Sequence, residues 1–194
     1  MNAWVQSGKG GSALRAEDIL MKMLHLYESG DYDDTRPNVV SFTTVMHGWA
    51  KSGEKGSADR AQSIFDLMLR QEYDDARPNA ITYSTLMDAW IQNKLPAKAE
   101  KVWNQMTEAF IQSPETSIKP TVIQVTQIMD AWSKSGVSNA GEKAENLLDQ
   151  IENLYETYQD EIMKPNALTY TTAVSTVMKI YISHTYCNTR VHTF

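Results

Sequence analysis

Apolar residues recur along this chain at positions i, i+3, i+4 and i+7, the spacing of one stripe on an α-helix. The pattern opens on alanine and closes on methionine or isoleucine. It occurs four times, at residues 16–23, 61–68, 99–106 and 144–151. Each copy predicts an amphipathic helix, here called helix B, whose apolar stripe needs a neighbouring helix to cover it.

A second recurring segment precedes three of these helices and also occurs near the C-terminus. It opens on proline, followed by Asn or Thr and then apolar and hydroxyl residues, at 37–46, 78–87, 120–129 and 165–174. A tryptophan stands twelve residues after each of the first three prolines, at Trp49, Trp90 and Trp132, and Trp4 has a similar context. The Asn or Thr can cap a helix and Ser-Gly can end it, so the segment predicts a second helix, helix A.

The two segments together predict an all-α fold: an α-α superhelical solenoid of tandem helix-turn-helix repeats. A single hairpin cannot bury its stripe, whereas stacked hairpins share a continuous core, which the tryptophans are expected to join. We predict helices centred near residues 4, 20, 45, 65, 86, 104, 129, 150 and 173. The predicted parts are a partial repeat at 1–36, which starts inside helix A, repeats at 37–77, 78–119 and 120–164, the start of another at 165–179, and a degenerate tail at 180–194.

The tail departs from the repeat. Val177 stands where the register predicts tryptophan, no Ser-Gly turn or helix B follows, and residues 180–194 are rich in β-branched and aromatic side chains. We therefore expect a disordered or loosely packed tail, an uncovered apolar face on the last helix A, and a truncated or mis-spliced reading frame.

Composition narrows the function classes. The formal net charge of -6 is unusual for a protein that binds nucleic acid by charge alone. The single cysteine, Cys187, excludes an internal disulfide framework. No apolar run is long enough to span a membrane, and no nucleophile-base or metal-ligand constellation is recognisable. The sequence therefore predicts no enzyme, no cofactor, no metal and no membrane partner.

The recurring segments resemble the pentatricopeptide repeat. The residues that carry the resemblance are Pro-Asn, Thr-Tyr-Ser/Thr, Leu-Met, Asp-Ala-Trp, Lys-Ser-Gly and the alanine-led helix, over roughly residues 1–178. These units are longer than the family's usual repeat. The resemblance implies sequence-specific binding of single-stranded RNA, in organellar RNA processing or stability, in the mitochondrion or plastid. The alternative is a helical scaffold that binds proteins and no RNA.

In this family each repeat recognises one base through side chains of helix A. The resemblance implies that the residue six after each proline reads the base, at Thr43, Ser84, Thr126 and Thr171. The co-reader follows the next proline: Asn79 for Thr43, Thr121 for Ser84 and Asn166 for Thr126, with Asn38 serving the partial repeat. Thr43/Asn79 and Thr126/Asn166 match the family's adenine pair, and the base for Ser84/Thr121 is open. A purely local capping role for these hydroxyls is the alternative.

Two further positions acquire roles from the resemblance. The aliphatic residues three after each proline would pack on base faces, and the lysines fourteen after it would contact phosphate. The aliphatic residues are Val40, Ile81, Ile123 and Leu168, and the lysines are Lys51, Lys134 and Lys179, with Gln92 in the remaining repeat. The alternatives are packing between helices for the aliphatic residues and a favourable helix-end charge for the lysines.

Overall fold

The computed structural model describes residues 11–30, 33–70, 74–114 and 117–190. These segments contain α-helices, short 3-10 turns and loops, and no strand. The predicted all-α fold of tandem helical hairpins is confirmed, while the helix predicted near residue 4 lies outside the described residues. The helices are α1 Ser12–Glu28, α2 Val39–Ser52, α3 Ser57–Leu69, α4 Ala80–Gln92, α5 Pro96–Gln112, α6 Val122–Ser135, α7 Ala140–Tyr158 and α8 Ala167–Arg190.

Each helix A begins with a reciprocal capping box directly after its proline. At the start of α4, Asn79 Oδ1 accepts hydrogen bonds from the backbone N–H groups of Ile81 (3.0 Å) and Thr82 (3.1 Å), and Thr82 Oγ1 accepts one from Asn79 N (3.3 Å). Such caps satisfy N–H groups that have no partner within the helix. The same arrangement joins Asn38 to Ser41, Thr121 to Gln124, and Asn166 to Thr169.

Glycine ends two of these helices. Gly53 follows α2 with φ 64° and Gly136 follows α6 with φ 71°. This left-handed conformation is open to glycine without the steric penalty that a Cβ would bring, and it turns the chain towards the next helix. The Ser-Gly pairs therefore end helix A, as predicted.

The chain divides into two compact units. The first comprises residues 1–93 and 108–119. Within it α2 packs against α1, α3 and α4. Phe42, Met46, Phe65 and Met68 are almost completely buried. The ring of Phe65 meets that of Tyr83 edge to face, with centroids 5.2 Å apart. These contacts form the core between successive hairpins.

The second unit comprises residues 94–107 and 120–194. Within it α7 and α8 pack against each other and both pack against α6. Trp103, Ile128 and Leu147 are fully buried, and Trp103 Nε1 donates a 2.8 Å hydrogen bond to Gln150 Oε1. The indole N–H of a buried tryptophan usually has a hydrogen-bond acceptor, and Gln150 provides it here.

The alanine that opens each helix-B pattern belongs to the core. Ala16, Ala61, Ala99 and Ala144 are all completely buried. The same small residue is buried at this position in all four copies. The pattern can therefore be recognised in the sequence by its alanine as well as by its apolar spacing. The repeated tryptophans Trp49, Trp90 and Trp132 are buried too, at 2–5% exposure, which confirms their predicted place in the core.

The C-terminal region corrects one prediction. The expectation was a disordered or loosely packed tail. The helix that begins at Ala167 continues to Arg190, so disorder is wrong for the backbone of residues 180–190, whereas loose packing stays a prediction; residues 191–194 lie outside the described part. A helix that is already formed gains one hydrogen bond for each residue it adds, and β propensity is expressed only where a strand partner exists. The predicted uncovered apolar face is present, since Tyr170, Val174 and Met178 are each about half exposed.

Candidate nucleic-acid interface

The predicted site residues of each helix A lie along one row of that helix. The row consists of the residues 3, 6, 10 and 14 positions after the proline, a spacing that keeps side chains on one face of an α-helix. Each of its members is either exposed or only partly buried. We call it the exposed row; its members are Val40, Thr43, His47 and Lys51 on α2, Ile81, Ser84, Asp88 and Gln92 on α4, Ile123, Thr126, Asp130 and Lys134 on α6, and Leu168, Thr171, Ser175 and Lys179 on α8.

An aliphatic side chain opens each exposed row and projects away from the core. Val40 is 62% exposed, Ile81 and Ile123 are 67% exposed, and Leu168 is 65% exposed. The alternative that these residues pack between helices is therefore wrong. A single exposed aliphatic residue is ordinary, but its recurrence at one register of two helices in each unit indicates, within each unit, exposed apolar positions suited to flat apolar partners.

The hydroxyl groups of the exposed rows use their hydrogen atoms within the protein. Ser84 Oγ donates to the carbonyl of Ala80 at 2.8 Å, and Thr171 Oγ1 donates to the carbonyl of Ala167 at 2.7 Å. A hydroxyl has one hydrogen to donate and two lone pairs that accept. Once that hydrogen is used, such an oxygen can act towards an external group only as an acceptor.

The predicted co-readers are the capping residues of the helices. Asn38, Asn79 and Asn166 each turn Oδ1 towards backbone N–H groups at the start of a helix. Those contacts require an acceptor, which fixes the orientation of the amide. The amide nitrogen of each asparagine therefore keeps two donor hydrogens that the cap does not use. Capping and base reading need different atoms, so the two roles are compatible.

Two of the predicted pairs are joined through a third, buried hydroxyl. In the first unit Thr43 Oγ1 lies 3.1 Å from Thr82 Oγ1, which lies 3.1 Å from Asn79 Oδ1. In the second unit Thr126 Oγ1 lies 3.2 Å from Thr169 Oγ1, which lies 3.2 Å from Asn166 Oδ1. Thr82 and Thr169 are functional candidates that were not predicted from the sequence, although the Asn-x-x-Thr capping signature marks both. Ser84 and Thr121, the third predicted pair, belong to different units and are described separately.

The lysines of the exposed rows differ in their surroundings. Lys51 and Lys134 lie in the last turns of α2 and α6, so the helix-end alternative still applies to them. Lys134 also pairs with Asp130 in the same row. Lys179 is not near a helix end, because α8 continues to Arg190, and its Nζ donates a 2.8 Å hydrogen bond to Ser133 Oγ. A helix-end charge therefore does not explain Lys179.

Two titratable groups of the exposed rows were not predicted. Burial and the neighbouring Lys51 lower the pKa of His47, and Asp88 opposes that shift. Burial raises the pKa of Asp88, and the charge of His47 opposes it. Both effects follow from removing a charge from water near a like or an unlike charge. Protonation of His47 changes the charge of the row on α2, and protonation of Asp88 changes the charge of the row on α4.

In the described segments, no three His, Cys, Asp or Glu side chains are grouped so that they could hold a metal ion. Of the helices described, none has the length and apolar character to cross a membrane.

Comparisons with known families agree on one repeat type. A family model described as a pentatricopeptide repeat domain matches residues 25–93, and another, described as a PPR repeat, matches residues 81–109. The matched residues run from the end of α1 through most of α5 and include the exposed rows of α2 and α4. A comparison with curated proteins gives no significant match.

Proposed function

Since this chain belongs to the pentatricopeptide repeat family, whose members generally bind RNA, we propose that it binds single-stranded RNA and distinguishes bases without catalysing a reaction. The observation that carries the proposal is the exposed row, which recurs on four helices with an aliphatic residue beside a hydroxyl acceptor. Each helix also carries a capping residue at its start. The row supports a site in which the protein contacts both the face and the edge of a base.

The donor and acceptor pattern supports adenine at two positions. Adenine offers an amino donor at N6 beside an acceptor at N1. Thr43 offers an acceptor and Asn79 offers amide donors in the first unit, and Thr126 and Asn166 do the same in the second. Because the family uses the Thr/Asn combination for adenine, we propose that each pair selects this base.

The charge distribution is compatible with RNA despite the net charge of -6. Lysines stand on three of the exposed rows, while a series of exposed carboxylates stands on α7, outside those rows. The carboxylates are Glu142, Glu145, Asp149 and Glu156. A phosphate backbone is attracted to the first group and repelled by the second. We therefore propose that RNA contacts the helix-A rows and avoids α7.

The test is binding of the full chain to single-stranded RNA oligonucleotides at one stated salt concentration. We expect binding, and we expect the double variant Thr43→Val/Thr126→Val to lose preference for adenine-containing oligonucleotides. Thr157→Val is the matched control, because Thr157 is exposed and donates to the carbonyl of Asn153 on α7, outside the rows. Binding that ignores both row substitutions would refute the assignment of the base-reading residues. No RNA binding, together with recovery of defined peptides, would favour the protein-scaffold alternative.

The family typically works in organelles, and we propose that this protein acts on RNA in the mitochondrion or plastid, in processing or stability. The support is family membership alone. Imaging of the full-length protein tests the proposal: signal that coincides with either organelle is expected, and signal confined to the cytosol would contradict it.

A further inference from the structure

Thr82 and Thr169 occupy the same position, four residues after the proline, in different units of the chain. Both side chains are completely buried, yet each hydroxyl touches a predicted base-reading residue of the preceding repeat and the capping asparagine of its own helix. Resting on the proposed function, we propose that Thr82 and Thr169 are positioning residues that set the base preference of the Thr43/Asn79 and Thr126/Asn166 pairs.

The hydrogen-bond directions in the first unit follow from the chemistry of the three groups. Asn79 Oδ1 is a carbonyl oxygen and can only accept, so Thr82 must donate its single hydrogen in the 3.1 Å contact between them. Thr82 Oγ1 then accepts from Thr43 Oγ1, 3.1 Å away, and from Asn79 N. The buried hydroxyl thereby leaves Thr43 as an acceptor towards external groups, and it adds a third donor to the amide orientation that the backbone N–H groups of Ile81 and Thr82 favour.

The second unit reaches the same polarity with one additional contact. Thr126 Oγ1 has two neighbours that can accept its single hydrogen, the carbonyl oxygen of Val122 at 2.7 Å and Thr169 Oγ1 at 3.2 Å. Thr169 Oγ1 in turn contacts Asn166 Oδ1 and accepts from Asn166 N. Whichever of its two neighbours receives the hydrogen of Thr126, that hydrogen is used inside the protein. Thr126 is therefore an acceptor towards RNA, as Thr43 is.

The position accommodates a different side chain where the cap differs. After Pro120 it is Gln124, whose Oε1 accepts from Thr121 N at 2.8 Å and from Thr121 Oγ1 at 3.1 Å. The hydroxyl hydrogen of Thr121 is consequently turned inward, and Thr121 can only accept from an external group. The buried side chain thus matches the capping residue: Thr82 and Thr169 donate to an asparagine oxygen, whereas Gln124 accepts the hydrogen of Thr121.

The experiment compares Thr82→Val with Thr82→Ser and with a matched control. Thr85→Val is that control: Thr85 is buried on the same helix but donates only to the carbonyl of Ile81. Binding is measured for the full chain against oligonucleotides that differ at one position, adenine against each other base. We expect Thr82→Val to reduce the preference for adenine by roughly three- to tenfold. Thr82→Ser should restore the preference, and Thr85→Val should keep it.

The outcomes separate the inference from the function on which it rests. If the unaltered chain binds no RNA, the proposed function and the inference both fail. If it prefers adenine and folded Thr82→Val keeps that preference, or weakens all oligonucleotides equally, only the inference fails. Should Thr82→Val not fold, as judged by circular dichroism, Thr169→Val tests the same contact in the second unit. Its control is Thr176→Val, at a buried threonine on α8 that donates to the carbonyl of Thr172.

A measurement without RNA gives a second readout. The side-chain amide resonances of Asn79 should shift in Thr82→Val, because Oδ1 loses one of its donors. They should stay near their original positions in Thr82→Ser and Thr85→Val. Unchanged Asn79 amide resonances in folded Thr82→Val would contradict the proposed contact and overturn the inference.

Discussion

The indole Nε1 of Trp49 donates a 2.7 Å hydrogen bond to Oε2 of Glu17, which ties helix α2 to the preceding helix α1. Arg60, on α3, lies 3.4 Å from the same carboxylate and stands over the Trp49 ring, 5.3 Å from its centroid. The carboxylate is largely buried, with 14% of the Glu17 side chain exposed. One glutamate therefore connects three successive helices of the first unit.

The second unit repeats this arrangement with different residues. Trp132 Nε1 donates to Glu100 Oε2 at 2.8 Å, and Lys143 lies 2.9 Å from Glu100 Oε1 and 5.9 Å from the Trp132 ring centroid. Trp90 instead donates to the neutral Gln62 at 3.2 Å. The indole donor thus requires an acceptor on the preceding helix, while the charge of that acceptor varies.

The first prediction follows from this difference. Glu17→Ala should lower the free energy of unfolding by about 1–3 kcal/mol, because it leaves the buried Trp49 N–H without its acceptor. Glu17→Gln should cost less, since Gln62 already serves Trp90 in this way. Urea unfolding followed by circular dichroism measures both variants. Equal losses for Ala and Gln would mean that the charge, and not the hydrogen bond, stabilises the contact.

Glycine at the end of α6 gives a second prediction about stability. Gly136 has φ 71° and open space where a Cβ would stand, so the backbone conformation alone disfavours a side chain. Gly136→Ala should therefore destabilise the chain by about 1 kcal/mol. Gly136→Asn should cost less because asparagine tolerates the left-handed region better. Thermal unfolding of both variants is the measurement, and an alanine variant as stable as the original would contradict the argument.

The repeat could be recognised from sequence because its signals are local. A proline before an Asn or Thr starts helix A, Ser-Gly ends it, and the buried Ala16 and Ala61 open the apolar stripe that the alanine-led pattern predicts. These features depend on backbone geometry within a few residues. They can therefore be recognised in the sequence without knowledge of the neighbouring helices.

The features that could not be predicted from the sequence depend on contacts between helices. Thr82 touches Thr43 only because α2 and α4 pack side by side, and no spacing along the chain encodes that distance. The exposure of Ile81 and Ile123 was also open, since an aliphatic residue on a helix can face either the core or solvent. The continuation of α8 to Arg190 could not be predicted from β propensity, because that propensity is expressed only where a strand partner exists.

The exposed aliphatic residues give a third prediction. Ile81→Ala and Ile123→Ala should change stability by no more than about 0.5 kcal/mol, because neither residue is buried in the core. Both should weaken RNA binding, since an apolar contact with a base face is lost. Ile111→Ala is a matched control, at an isoleucine that is 54% exposed and lies outside the rows. If all three variants bind RNA with equal affinity, the proposed contact of Ile81 and Ile123 with base faces is wrong.

Acid sensitivity of the first unit is the fourth prediction. Burial and Lys51 lower the pKa of His47, so the unfolded chain binds the proton at higher pH than the folded chain does. Stability should therefore fall as pH decreases through about 6.5 towards the lowered folded value. The raised pKa of Asp88 acts in the opposite direction, adding stability as pH falls towards about 3.8.

The two effects can be separated by substitution. His47→Gln should remove the loss of stability between neutral pH and the lowered His47 pKa, as measured by melting temperature across that range. Lys51→Ala should make the loss smaller, because it removes a charge that disfavours protonated His47 and so brings the folded pKa closer to the unfolded one. A His47→Gln variant that keeps the full pH dependence would assign it to another group.

The last prediction concerns salt. Each phosphate that a lysine neutralises steepens the fall of affinity with salt, by about 0.7 in the logarithmic slope for a single strand. Lys179→Ala should lower the slope by roughly that amount. Lys179 is an exposed member of the row on α8, lies away from a helix end and donates a hydrogen bond to Ser133. Lys134→Ala should lower the slope less, since Asp130 already pairs with this lysine. Lys101→Ala is the control, at an exposed lysine on α5 outside the rows. The measurement is RNA affinity over a series of salt concentrations for an oligonucleotide that the unaltered chain binds. If Lys101→Ala and Lys179→Ala change the slope equally, RNA responds to overall charge and not to the rows, and the proposed phosphate contact is wrong.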